Sequence, residues 1–389
     1  MSYLRRKCAA STRSFLAIGM VLVAVGGRSC LAWAVAPDIP RIQAEAEKGS
    51  VQQEIQLGAA YLMGRGVERN EKQAAYWYEK AANSGDPEAQ RQIGYFYAAG
   101  IGVDRDPARA AYWFERAIAG GAISAKVNLG VEYLWGMGVR KDESLAAKLF
   151  QEAAAKGSGA GACYMGDLYY FGIGVTRDAA KARRWFEMGS KLKDPRAKHN
   201  LALILSHEQN PASRERAAKL LRESAKAGFV PARHQLGLFL LRNPDVAKSP
   251  REPIDSLEEA AQEGIWKSSV VLGILERDGK GAPKDTAAAY YHFRVAELQG
   301  GDAAVKLLKN DLKVLSSTLA QVQVEKLNAA AADWFKSHKV ALEYLYENGE
   351  DRSEFPAFGL ESPDKDMHAG LLLTTPLESG TGEADRSTP

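Results

Sequence analysis

Cysteine is scarce in this sequence, and its placement excludes a disulfide scaffold. The 389 residues contain three cysteines, two of which, Cys8 and Cys30, fall in the first 34 residues. If that segment is removed, Cys163 has no intrachain partner. Residues equivalent to Cys163 in the neighbouring repeats are mostly apolar, so we expect a partly buried free thiol.

Metal-binding and catalytic motifs are also missing. The six histidines show no pair spaced i, i+4 and no His-Glu-x-x-His, and no Cys-x-x-Cys occurs. There is no Gly-x-Ser-x-Gly, and no Ser-x-x-Lys stands in a convincing context. The glycine pairs lack the Gly-x-x-x-x-Gly-Lys pattern that binds phosphate. We therefore predict no catalytic residue, no cofactor, no metal and no enzymatic activity.

A long hydrophobic run is absent as well. Four basic residues precede an uncharged stretch of 14 residues, Ser14 to Gly27, too short for a membrane helix of about 20 residues. Ala32-Trp33-Ala34 follows, a small-x-small cleavage pattern. We predict a signal peptide over 1–34, cleavage before Val35, no transmembrane segment afterwards and export to the periplasm. Secretion and lipid anchoring through Cys30 are the alternatives.

Charge of one sign is not in excess over most of the chain. Removing the five basic residues of 1–34 leaves 46 basic and 48 acidic residues. Residues 350–389 hold nine acidic and three basic ones among Pro, Gly and Ser, which predicts a disordered acidic tail. Since no Lys/Arg cluster stands out on one helical face, we expect no nucleic-acid partner.

A block with the pattern Leu-Gly, Tyr, Gly-x-Gly-Val and Ala-Ala-x-Trp-aromatic recurs about every 36 residues. Copies of the block are aligned on the residue that corresponds to the Gly of Leu-Gly, which we call the reference position. The reference positions are Gly58, Gly94, Gly130, Gly166, Ala202, Gly237 and Gly273. They are 36 residues apart except for a single step of 35. Such a period indicates a repeat array in which stacked units bury a shared core.

Each unit reads as two antiparallel helices, A and B. In the second unit Asp86-Pro87 starts helix A and Gly100 ends it, while Asp106-Pro107 starts helix B. We predict an N-terminal half-repeat over 35–49, the solenoid over 50–301 and capping helices over 302–349. The small residues at the reference positions are expected to face the alanines of helix B.

Strings such as LGAAYLMGRGVERNEKQAAYWYEKAANSGD and LGVEYLWGMGVRKDESLAAKLFQEAAAKGS resemble the Sel-one-like repeat (SLR) family, a relative of the tetratricopeptide repeats. The resemblance implies an all-α fold, a right-handed superhelical solenoid of about seven units. It also implies an adaptor or scaffold of the bacterial cell envelope. Two alternatives stay open: a regulatory subunit controlling a membrane sensor or polysaccharide export, and a weak β-lactam- or cell-wall-directed hydrolase.

The connectors of units two to four carry apolar residues where polar ones are common in the family. These residues form the candidate partner-binding site: Ile101, Trp135, Met137, Phe171 and Ile173. If exposed together they would form an apolar ridge for a protein partner, with a glycan as the other possible ligand. The alternative is that each packs onto the loop of the next unit.

Overall fold

The computed structural model describes residues 37–208 and 210–345, and all regular structure within these ranges is helical. The α-helices are α1 (Ile39–Glu47), α2 (Val51–Met63), α3 (Glu71–Asn83), α4 (Pro87–Ala99), α5 (Pro107–Ala119), α6 (Ile123–Trp135), α7 (Glu143–Ala155), α8 (Gly159–Phe171), α9 (Ala179–Lys191), α10 (Pro195–Ser206), α11 (Pro211–Lys226), α12 (Val230–Arg242), α13 (Glu252–Gln262), α14 (Trp266–Asp278), α15 (Thr286–Thr318) and α16 (Gln321–Leu345). The predicted all-α solenoid of antiparallel helix pairs is confirmed.

The chain divides into two compact units, with the boundary between Phe239 and Leu240. In the first unit, successive helices from α1 to α11 pack on one another, and α4 also touches α6 as α8 touches α10. The A helices α2, α4, α6, α8 and α10 thus form one layer and the B helices the other. In the second unit α13, α14, α15 and α16 pack in succession.

Helix starts follow the sequence signals. Asn70, Asp106, Asp142 and Asp178 each accept a hydrogen bond at 2.9–3.0 Å from the backbone N–H three residues later. This satisfies one of the backbone donors that a helix N-terminus leaves open. These side chains therefore act as helix caps.

The glycines of the A helices face helix B, where Gly94 meets the carbonyl oxygen of Ala110, as expected, and an aromatic ring as well. A Cβ added at Gly94 would lie 2.8 Å from the Phe114 ring, and one added at Gly166 would lie 2.4 Å from the Phe186 ring. Phe114 and Phe186 are buried in the core. The glycine is thus needed because the second aromatic residue of helix B fills the space that a side chain would occupy.

A charge pair joins the two helices of three units at equivalent positions. Glu54 of α2 lies 3.0 Å from Lys80 of α3, and Lys198 of α10 lies 2.7 Å from Glu223 of α11. Lys126 of α6 pairs with Glu152 of α7 in the same way. In the first unit the acidic residue is on helix A, whereas in the other two units the basic residue is on helix A. These positions of the repeat therefore keep an ion pair but not a particular charge on either helix.

The predicted segments 1–34 and 350–389 lie outside the described residues. Helix α1 falls within the predicted half-repeat. Helix α15 is interrupted at Gly301, which has φ 53° and ψ −144°, and its later part and α16 occupy the range predicted for capping helices. Within the described ranges, no helix is both long and apolar enough to cross a membrane.

Candidate functional site

The connectors that follow helices α4, α6 and α8 are packed against the preceding repeat. The second loop glycine is the point of contact: a Cβ at Gly102 would lie 2.0 Å from the Glu71 carbonyl oxygen, and one at Gly138 would lie 2.1 Å from the Pro107 carbonyl carbon. Both glycines have positive φ, 66° and 67°. Each loop therefore rests on the backbone that starts helix B of the unit before it.

The residues between the loop glycines are half-buried as a result. Ile101 packs on the core cluster built by α3, α4 and α5. The Sδ atom of Met137 lies 4.0 Å from Nη2 of Arg105, which belongs to the preceding connector. Ile173 is half-buried at the equivalent position of the next loop. The middle residues thus take part in loop stacking and keep part of their surface in solvent.

Arginine side chains of the connectors cap the C-terminal ends of helices α4 and α8. Nε of Arg105 donates to the carbonyl oxygen of Ala98 at 3.2 Å, and Nε of Arg177 donates to that of Tyr170 at 3.1 Å. Carbonyls in the last turn of a helix have no intrahelical partner, and a cation also offsets the negative end of the helix dipole. These arginines have a structural role in the connectors.

Trp135 and Phe171 occupy equivalent positions, one repeat apart, at the last residues of α6 and α8. Both are half-buried, and the Phe171 ring lies 5.1 Å from that of Tyr170 in an edge-to-face arrangement. Helical spacing places Asn128 and Tyr164 on the same faces as Trp135 and Phe171, seven residues earlier. We call this partly exposed surface of α6 and α8 the A face.

Tyr164, which the sequence analysis did not single out, is held between two neighbours. Its ring stacks on Phe150 with centroids 4.6 Å apart and an interplanar angle of 9°. The guanidinium carbon of Arg196, which belongs to α10, lies 4.0 Å from the centroid of the Tyr164 ring. The column of Phe150, Tyr164 and Arg196 fixes one aromatic ring of the A face in position.

A polar network continues from this column into the joint between α8 and α10. Arg196 donates from Nε to Sγ of Cys163 at 3.1 Å and from Nη2 to Asp167 at 3.0 Å. Nδ2 of Asn200 donates to the other oxygen of Asp167 at 2.9 Å. Cys163 and Asp167 are four residues apart on one helix, as are Arg196 and Asn200 on the other, a spacing that is visible in the sequence once the repeat is aligned.

Burial dominates the ionisation of this network. It raises the pKa of Asp167 to about 7, although the Arg196 guanidinium and the Asn200 amide act in the opposite direction. It also raises the pKa of the Cys163 thiol well above its usual value. The Cys163 side chain has no exposed surface, so the thiol is fully enclosed and not partly buried as expected. With its pKa raised, it lacks the thiolate character of a reactive cysteine.

His199 is buried beside this network. Its ring meets the Phe229 ring edge-on at 5.3 Å, and burial lowers its pKa to about 4. Nδ1 of His199 is buried without a hydrogen-bond partner among the described residues. In the part of the chain that the structure describes, no three His, Cys, Asp or Glu side chains are grouped to hold a metal ion.

Comparison with known families gives one match. The model described as Sel1 repeat matches residues 54–86, 87–121, 123–158, 159–194, 195–229 and 270–301, together more than half of the chain. No curated protein matches this sequence.

Several solved structures are similar. A protective antigen of uropathogenic Escherichia coli with an SLR fold is 20% identical over 80% of this chain and 74% of its own, with a TM-score of 0.40. A Sel1 repeat protein from Oxalobacter formigenes is 26% identical over 57% of this chain and 98% of its own, with a TM-score of 0.48. An immunity protein from Pseudomonas aeruginosa is 18% identical over 52% and 80%, with a TM-score of 0.38.

Proposed function

Because the chain belongs to the Sel1 repeat family, whose repeats commonly serve as protein-interaction scaffolds, we propose that it is an exported, non-enzymatic scaffold that binds a protein partner on the A face and the adjoining connectors. The binding residues are Trp135 and Phe171, supported by the loop residues Ile101, Met137 and Ile173. The scaffold acts by presenting a preformed surface to its partner.

One observation carries this proposal. Two large apolar side chains stand at equivalent positions of adjacent repeats and keep part of their surface in solvent, beside the fixed ring of Tyr164. Rigid aromatic residues lose little entropy on binding and are enriched among the residues that contribute most to protein interfaces. A stacked row of them suits a protein segment that runs across several repeats.

Export rests on the N-terminal sequence pattern. The cell-envelope location follows from the basic start, the short uncharged stretch and Ala32-Trp33-Ala34. Fractionation of the producing cells, together with N-terminal sequencing of the purified protein, tests it. A periplasmic protein that starts at Val35 is expected, whereas a cytoplasmic protein that starts at Met1 would refute it.

The binding site is tested by in-cell crosslinking followed by affinity capture. Trp135→Glu is compared with wild type and with Tyr112→Glu, a matched control because Tyr112 is an aromatic residue of the B layer that is 51% exposed. Circular dichroism first establishes that all three proteins remain helical. A partner lost only from Trp135→Glu supports the proposal, and Phe171→Gln is expected to lose the same partner.

The result also separates the other functions that the family resemblance implies. Equal capture by all three proteins would remove the A face as the binding site. A captured membrane sensor or polysaccharide exporter, whose output changes when the gene is deleted, would specify a regulatory role. Covalent labelling by a fluorescent penicillin would instead indicate a cell-wall-directed enzyme.

A further inference from the structure

Two neighbouring B helices carry a larger excess of positive charge than the other B helices of the first unit. Helix α9 has four basic residues and one acidic residue, and α11 has five and two. By contrast, α3 has two of each, α5 has two basic and one acidic residue, and α7 has one basic and two acidic residues. The large excess is therefore confined to the fourth and fifth repeats and is not a general feature of the layer.

On each of these two helices, two basic side chains lie on the same solvent-exposed face. Arg184 and Lys191 lie seven residues apart on α9, and Lys219 and Lys226 lie seven apart on α11, so each pair faces the same side of its helix. All four side chains are exposed. Each helix contributes two of these cations, so the cluster forms only across the two helices and not on one helical face.

The two helices adjoin each other at this surface. Arg216 of α11 lies 3.6 Å from Glu187 of α9, which also pairs with Arg183 at 3.3 Å. We call the exposed surface formed by Arg184, Lys191, Lys219 and Lys226 the basic face. The linear sequence does not reveal it, because the two helices are separated by α10.

Most acidic groups near the basic face are already paired. Glu187 is shared by two arginines, Glu208 pairs with Arg183, and Glu223 pairs with Lys198 at 2.7 Å. Of the two acidic residues of α11, Glu215 remains as an exposed carboxylate. Over the described residues, none of the four cations that define the face takes part in an ion pair. The face thus keeps a net positive charge that a negatively charged partner can neutralise.

Two exposed apolar side chains lie among the cations of the basic face. Met188, between Arg184 and Lys191 on α9, is 41% exposed, and Leu192 at the end of that helix is 38% exposed. A nucleic-acid backbone is mostly polar and offers little apolar surface to these side chains. Single-stranded bases stack on exposed aromatic rings, but the large exposed apolar residues at this surface are Met188 and Leu192, which are not aromatic. An acidic peptide with apolar residues matches both features.

We propose that the basic face of α9 and α11 is a second binding surface, which takes an acidic polypeptide segment containing apolar side chains. Carboxylates of the segment pair with Arg184, Lys191, Lys219 and Lys226, and its apolar residues cover Met188 and Leu192. This surface is formed by the B layer. It does not depend on the A face or on the partner that binds there.

The test uses fluorescence anisotropy with the full chain and a labelled synthetic peptide. The peptide has the sequence of residues 350–369, which contains six acidic and two basic residues together with two phenylalanines. The protein carries its own copy of this sequence, so the titration is done with the six acidic residues of that copy changed to Gln or Asn. A peptide with the same six substitutions is the ligand control.

Two quadruple variants are compared. The first replaces Arg184, Lys191, Lys219 and Lys226 with glutamine. The second, which removes the same residue types and the same charge elsewhere, does so at four other exposed positions: Lys72, Arg140, Lys148 and Lys156. We expect at least tenfold weaker binding for the first variant, which equals about 1.4 kcal/mol, and a change below twofold for the second.

Three results would overturn the proposal. Equal weakening in both variants would mean that only net charge matters. Equal binding of the neutral peptide, or no binding at all, would remove the acidic segment as ligand. Stronger, Arg184-dependent binding of an oligo(dT) strand or of phosphatidylglycerol vesicles would assign the face to a nucleic acid or a membrane instead.

Discussion

Stacking of the connectors on the preceding repeat leads to a sharp prediction for Gly138→Ala. The new Cβ would lie 2.1 Å from the Pro107 carbonyl carbon, about 1.3 Å closer than an ordinary contact of roughly 3.4 Å. The atoms it meets belong to the backbone that starts α5, so no side-chain rotation relieves the overlap. The loop and the helix have to separate.

Gly157→Ala is the matched control in the same repeat. Gly157 also has positive φ, 90°, but nothing lies within 4 Å of an added Cβ. A left-handed backbone costs an L-residue about 1–2 kcal/mol, which both variants incur. Overpacking of a close contact costs typically 1–3 kcal/mol more, so we expect Gly138→Ala to lose about 2–5 kcal/mol and Gly157→Ala about 1–2 kcal/mol.

Urea unfolding followed by far-UV circular dichroism measures the difference, with the free energies compared at a common slope. Hydrogen exchange of the amides in the first turn of α5 gives a local readout, since separation of the loop exposes them. Equal losses for the two variants, with unchanged exchange in α5, would refute the close packing of the connector.

Three further predictions follow from the polar contacts. Burial raises the pKa of Asp167 from 3.8 to about 7, so the stability that its protonated form contributes is complete below pH 4 and is lost as the pH rises through 7. The free energy of unfolding should fall between pH 4.5 and pH 8, and Asp167→Asn should remove the part of that fall due to this group. Because Cys163 is enclosed, its reaction with a thiol reagent should be limited by opening of the joint between α8 and α10, and labelling as fast as that of a free thiol would contradict the structure. Lys126→Glu should lower the free energy of unfolding by about 0.5–1 kcal/mol. Adding Glu152→Lys to that variant should restore the loss, because it reproduces the reversed polarity of Glu54 and Lys80. A double-mutant cycle that shows no coupling energy would mean that Lys126 and Glu152 do not stabilise each other.

The sequence was sufficient for the repeat, the helix pairs and their caps. A solenoid unit contacts mainly its neighbours, so the period of 36 residues, the Asp and Asn caps and the glycine stops specify nearly all of the local structure. The caps at Asp106 and Asp142 are read directly from their place before an apolar helix. The net charge of a segment can also be counted directly from the sequence.

Only the tertiary structure decided what the individual side chains touch. The period does not say that Gly94 meets the ring of Phe114 as well as the backbone of Ala110, because that depends on how closely the two helices approach. It also could not bring Cys163 to Arg196, nor Arg216 of α11 to Glu187 of α9. A repeat pattern fixes backbone spacing, whereas contacts across repeats depend on how side chains of different size and charge pack at that spacing.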